Sequence, residues 1–288
     1  MNSFPNLERR AWLDAEYSPS RTARDAAGSM SVGRGRTALA RSTAQASGIY
    51  HRVSYGPREA NRLEIFADRE GAHPTLLMFH GGWWQEGSID DGGRYAATLA
   101  PLGATHIAVG YSLAPSATLS AIVAEASAAA AYLIDHAAAL GCDVNSIVAA
   151  GHSAGAHLAA TLVTELAPPN VRSAISGLLL VGGAFDLEPI AESYVNNLVG
   201  MSADEAKRLS PVHYQPQRNI PVLLRVGEHE PSEFHRQSEL LREKWASHAT
   251  VSLATVPGRD HFDVLEELDT PGGSLLRDAR ALLQLSGT

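Results

Sequence analysis

The sequence predicts an α/β domain, with a mostly parallel central sheet, helices on both faces and a small cap. Two observations point there. From residue 50 onward, short runs rich in Val, Ile and Leu (62–66, 75–80, 105–111, 145–150, 177–182, 220–226 and 249–256) alternate with longer helical stretches. Those stretches are 90–100, 118–140, 154–166, 232–247 and 274–285. Such alternation marks parallel strands joined by crossover helices. The central runs LLMF (76–79), IVAA (147–150) and GLLLV (177–181) are also continuously apolar, as strands covered on both faces must be.

Taken in order, the first 49 residues stand apart. Seven arginines face Glu8, Asp14, Glu16 and Asp25 over residues 1–47, so this arm is net positive. Its stretch 20–47 is rich in Ser, Ala, Gly and Arg, as a transit peptide is, but an acidic segment carrying Trp12 and Tyr17 precedes it and no apolar core of a secretory signal is present. Residues 1–49 are therefore read as an arm packed on one domain, 50–288. The alanines of 121–139 favour helix and let it lie close to the sheet. No linker divides 50–288, and the segment 184–218, between two strands, is the place for the cap.

Composition narrows the function. The chain has 288 residues, 45% of them apolar and 19% charged, a globular balance rather than a disordered one. A net charge of −8 argues against nucleic acid or an anionic membrane as the main partner. The single cysteine, Cys142, excludes a disulfide framework and a multi-thiolate metal site. No apolar run approaches the roughly 20 residues that span a bilayer. A soluble, cytoplasmic protein is expected.

The chemistry concentrates in three segments. Gly151-His152-Ser153-Ala154-Gly155 lies where an apolar strand ends and a helix begins. A serine that merely caps a helix would fit the pentapeptide alone. At a sharp strand-to-helix turn, however, Ser153 is held strained and exposed at the carboxyl edge of the sheet, with flanking glycines removing side chains that would collide. His80-Gly81-Gly82-Trp83-Trp84 follows the strand 75–79, and its glycine loop leaves N–H groups aimed at the same edge. With Ala154 they form a candidate oxyanion hole: Gly82 and Trp83 are the preferred donors and Gly81 competes. Trp83, Trp84 and His152 are read as walls of an aromatic pocket.

An activated serine needs a base, and the base an orienting acid. The α/β-hydrolase fold orders them Ser, acid, His. His261 follows the last strand in VPGRDHFDV (256–264), and the loop VGEHEPSEF (226–234) follows the strand before it. Among the acids there Glu230 is the first choice and Glu228 the second, while Asp260 adjoins His261 and should point away from it. No metal site is expected: HExxH is absent, and His229 and His235 are separated by a helix start.

These segments resemble a known family. HGGWWQEGSIDD (80–91), GHSAGAHLAA (151–160), FDLEPI (185–190), EAKRLSP (205–211), VGEHEPSEFHRQS (226–238) and DHFDVLEEL (260–268) are similar to segments of the serine-dependent kynurenine formamidases (arylformamidases), α/β-hydrolases. EYSPSR (16–21) and YGPREANRLEIF (55–66) extend the likeness into the arm, so it runs from about residue 12 to the end. The resemblance supports Ser153 as nucleophile, His261 as base and the 81–83 loop as oxyanion hole. Two positions depart from the family pattern: Glu230 stands where the family has aspartate, and Trp83 where tyrosine is common. The implied activity is hydrolysis of an N-formyl arylamine, most of all N-formyl-L-kynurenine, to the amine and formate through a formyl-serine, with no cofactor. A carboxylesterase is the alternative, since YSLAP (111–115) resembles a segment of hormone-sensitive-lipase-type esterases. A non-catalytic binding protein on the same fold is a remote third. The partner expected is a small aryl formamide or ester, and the resemblance is compatible with a homodimer.

Overall fold

A computed structural model describes residues 4–67 and 71–285. Its sheet has eight strands: β1 Tyr50–Ser54, β2 Arg62–Phe66, β3 His73–Phe79, β4 Thr105–Val109, β5 Cys142–His152, β6 Ile175–Val181, β7 Pro221–Gly227 and β8 Thr250–Val256. They are ordered β1-β2-β4-β3-β5-β6-β7-β8. The pairings β1–β2 and β2–β4 are antiparallel, and the other pairings are parallel. The seven apolar runs of the sequence became β2 to β8. Strand β1 escaped that reading because YHRVS lies at the sheet edge with a half-buried, mixed pattern and no apolar face. Register positions the site. Phe79 pairs with Gly151, Gly151 with Leu180 and Val181 with Arg225, so the carboxyl ends of β3, β5, β6 and β7 lie level and their loops leave from one edge.

Helices Leu119–Asp135, Ala154–Thr161, Ser232–Trp245 and Ser274–Leu282 answer four of the five helical stretches. The stretch 90–100 does not form one helix. Gly92 and Gly93 break it into 3-10 turns Ile89–Asp91 and Gly93–Tyr95 ahead of a single turn, Ala96–Leu99. Between β6 and β7 the chain makes the short helices Glu188–Ala191, Asn196–Val199 and Ala203–Leu209. No helix among the described residues is long and apolar enough to cross a membrane.

The arm folds as helices Phe4–Glu16 and Ala26–Ala46. Asp25 caps the second, accepting the Gly28 N–H at 2.9 Å. Its buried residues Gly33, Thr37, Ala40 and Ala44 repeat every three or four positions, a narrow stripe that lets the helix lie close against β2 and the turn at 93–95. One buried carboxylate ties arm to sheet. Glu64 on β2 is fully buried, pairs with Arg41 of the arm and with Arg52, and accepts the Tyr50 hydroxyl at 2.8 Å. Its partners are part-exposed and can regain water when it is lost. Glu64→Ala should therefore lower unfolding free energy by about 1–3 kcal/mol, as read from the midpoint of denaturant unfolding.

Candidate active site

Ser153 sits in a backbone conformation that side chains avoid. Its φ is 54° and its ψ −122°, between the end of β5 and the start of helix Ala154–Thr161. The turn is that sharp because its neighbours are glycines. A Cβ on Gly151 would come within 2.1 Å of Gly155 O, and one on Gly155 within 2.1 Å of Phe79 O. The close approach of helix to sheet thus depends on both. Gly155→Ala should destabilise the fold by about 3 kcal/mol or more, visible as a lowered Tm. The helix-cap alternative does not hold: the Ser153 side chain makes no capping bond. Its N–H donates to Val181 O at 2.8 Å.

The loop after β3 carries three consecutive residues at positive φ: Gly82 at 110°, Trp83 at 49° and Trp84 at 58°. Below it, the His80 ring stacks on Tyr111 with centroids 4.1 Å apart, and the Tyr111 hydroxyl donates to His80 O at 2.7 Å. Burial pushes the His80 pKa down, so the ring packs as a neutral group. Among the described residues, the N–H groups of Gly81, Gly82 and Trp83 find no acceptor, and Ala154 opens its helix, where N–H groups have no partner within the helix.

His261 and Glu230 are joined directly. Nδ1–H of His261 donates to Glu230 Oε2 at 2.6 Å, and Glu230 Oε1 accepts the Gly227 N–H at 2.7 Å. Both residues are buried. The longer acid is accommodated by Gly182 at the end of β6, a residue the sequence reading missed. Its φ is 51°, and a Cβ there would lie 2.8 Å from Glu230 Oε2 and 3.1 Å from His261 Nδ1. Glu228, the second choice, is exposed and turned away, accepting the Gly258 N–H at 2.6 Å. Asp260 also points elsewhere, accepting from the backbone of Phe262, Asp263 and Arg24. His152 holds the loop from below: Nε2–H donates to His261 O at 2.7 Å. Burial, then the neighbouring His261, drives the His152 pKa well below its ordinary value, which keeps it neutral.

Ser153 and His261 line one cavity of about 400 Å³ together with His152 and the 81–83 loop. Among the described residues, no hydrogen bond joins Ser153 Oγ to His261; catalytic bonds of this kind often tighten only in the Michaelis complex. Trp83 is a wall. Trp84 is not, which corrects the expectation that both indoles face the pocket. Its backbone turns the ring inward, where it is fully buried and meets His157 edge-on at 5.1 Å. A second part of the wall was not foreseen: it is the arm, through Pro19, Ser29, Met30 and Gly33, joined by Arg94 and Phe262. Tyr17 of the arm also backs Trp83 with rings 5.7 Å apart, and its hydroxyl donates to Glu233 at 2.6 Å.

A family model described as alpha/beta hydrolase fold matches residues 76–262. The chain is similar to a kynurenine formamidase of Danio rerio, 31% identical over 89% of this chain and 90% of that one. A kynurenine formamidase of Drosophila melanogaster is 28% identical over 67% and 68%. Among solved structures, a putative thioesterase from Silicibacter sp. TM1040 superposes with a TM-score of 0.80 at 26% identity, over 92% of this chain and 97% of that one. An esterase of Pyrobaculum calidifontis shares the fold, with a TM-score of 0.70 at 20% identity over 96% and 98%. With an identity above three in ten along nearly its whole length, this chain belongs to the kynurenine formamidase family of α/β-hydrolase-fold enzymes and is a hydrolase.

Proposed function

We propose that the protein hydrolyses N-formyl arylamines, N-formyl-L-kynurenine foremost, through a formyl-serine at Ser153. The observation that carries the reading is the Glu230–His261 bond at 2.6 Å beside a strained serine whose side chain caps nothing. The hydrogen bond to Glu230 Oε2 holds the proton of His261 on Nδ1 and leaves Nε2 as a free acceptor. Ser153 Oγ attacks the formyl carbon while His261 Nε2 takes its proton. The carbonyl oxygen becomes an oxyanion facing the N–H groups of Gly82, Trp83 and Ala154, with Gly81 in reserve. His261 returns the proton to the aniline nitrogen as the C–N bond breaks. Water, deprotonated by His261, then splits the formyl ester into formate and Ser153. A formyl carbon bears only hydrogen, so bulky Trp83 is tolerated on the acyl side.

A second reading, a carboxylesterase for small esters, has support because the same machinery cleaves esters. A relative from Oryza sativa, named a probable isoprenylcysteine alpha-carbonyl methylesterase, is also 26% identical over 59% of this chain and 44% of that one. The two readings separate on purified protein. The formamidase reading expects kcat/KM for N-formylkynurenine to exceed that for short-chain p-nitrophenyl esters; a tenfold advantage for the ester would replace it with the esterase reading.

A further inference from the structure

The guanidinium of Arg94 has donors left over. Arg94 is 4% exposed, sits in the 3-10 turn Gly93–Tyr95 and contributes to the cavity wall. Its Nε bonds the buried carboxylate of Asp269. Nη2 is buried with no acceptor. Nη1 donates to no described residue either. It lies against Gly33 of the arm, where an added Cβ would come within 2.5 Å of it. An arginine presents five N–H donors in a planar fork, and here the two on Nη2 are shut away from water without an acceptor, an arrangement folded proteins avoid. Asp269 does not neutralise the site alone, because it also pairs with Arg36 at 2.6 Å. Of the other acids on the wall, Asp91 is taken by Arg34 at 2.8 Å and Glu86 is exposed.

We propose that Arg94 anchors a carboxylate of the substrate, its two Nη nitrogens gripping both oxygens of the anion, so that the cavity selects aryl formamides with an anionic tail. The planar fork matches a carboxylate in a way no single ammonium can. Gly33 completes the seat by leaving the arm helix bare where the fork and its ligand must fit. This assignment rests on the formamidase reading above and narrows its substrate.

The test compares N-formylkynurenine with 2-formamidoacetophenone, which lacks the amino-acid tail, in wild type, Arg94→Met and Arg94→Lys. Wild type should favour the tailed substrate by roughly 10- to 100-fold in kcat/KM, chiefly through KM, as expected for hydrogen bonds to a charged group. Arg94→Met should bring that ratio near one, and Arg94→Lys should fall between. An equal loss on both formamides would make Arg94 only a support for Asp269 and overturn the proposal. Arg94→Lys keeps the charge, so it supplies the comparison if the methionine variant does not fold. If neither formamide turns over while p-nitrophenyl acetate does, the formamidase reading fails, and the anchor is judged separately by inhibition of ester hydrolysis. There, 4-oxo-4-phenylbutanoate must inhibit wild type more tightly than its amide and lose that advantage in the variants; equal inhibition by the two would refute the anchor.

Discussion

Replacing Ser153 with alanine should lower kcat/KM for the preferred substrate by about 10⁴- to 10⁶-fold, the loss seen when a catalytic serine is removed and only binding and the oxyanion hole remain. That corresponds to about 5–8 kcal/mol of transition-state stabilisation. Stability should respond in the opposite sense to a different change at this position. Ser153 holds a φ of 54°, a conformation that costs a non-glycine residue about 1–3 kcal/mol. Ser153→Gly should release part of that strain and raise Tm while also abolishing activity. An enzyme made inactive and more stable by one substitution is the signature of strain kept for function. Steady-state kinetics and a thermal melt on the same preparation check both halves, and a glycine variant that melts lower would remove strain from the account.

Glu230→Gln should be the second large effect. A neutral amide no longer stabilises the imidazolium of His261 and no longer selects the tautomer with the proton on Nδ1, so a loss on the order of 10³- to 10⁴-fold in kcat follows. Glu230→Asp tests the geometry rather than the charge. Shortening the side chain by one methylene, about 1.5 Å, withdraws the carboxylate from either the Gly227 N–H or His261, both of which it now reaches. Its loss should be intermediate. Glu228→Gln is the control: that carboxylate is exposed and bonded to Gly258, and its change should leave kcat within about threefold, as for surface substitutions generally. If Glu228→Gln proved the more damaging of the two, the orienting acid would have been misassigned.

What could be read from the chain and what could not follows from the range of the interactions involved. The serine turn, the glycine loop after β3, His261 and Glu230 each announce themselves within a few residues, because each is a strand end followed by a local exception: a glycine pair, a lone histidine, a cluster of acids. Gly182 carries no such mark. It reads as any turn glycine until β6 and β7 are laid side by side and its missing Cβ is seen to make room for the Glu230–His261 pair. The arm is the same case on a larger scale. Its positive charge is legible, but that Gly33 and Met30 wall the cavity depends on contacts with residues far along the chain. Trp84 shows a third limit: composition places an indole near the site, and only the backbone at φ 58° turns it from the cavity into the core.

The proposed hydrolysis requires Ser153 to be a nucleophile activated by His261. Intact-mass and peptide analysis after treatment with a fluorophosphonate measures that directly. The expected result is one adduct per chain, located on the peptide that contains Ser153, absent in Ser153→Ala and formed far more slowly in His261→Gln. Protein that stays unmodified, or carries the label on another residue with undiminished rate in both variants, would contradict it.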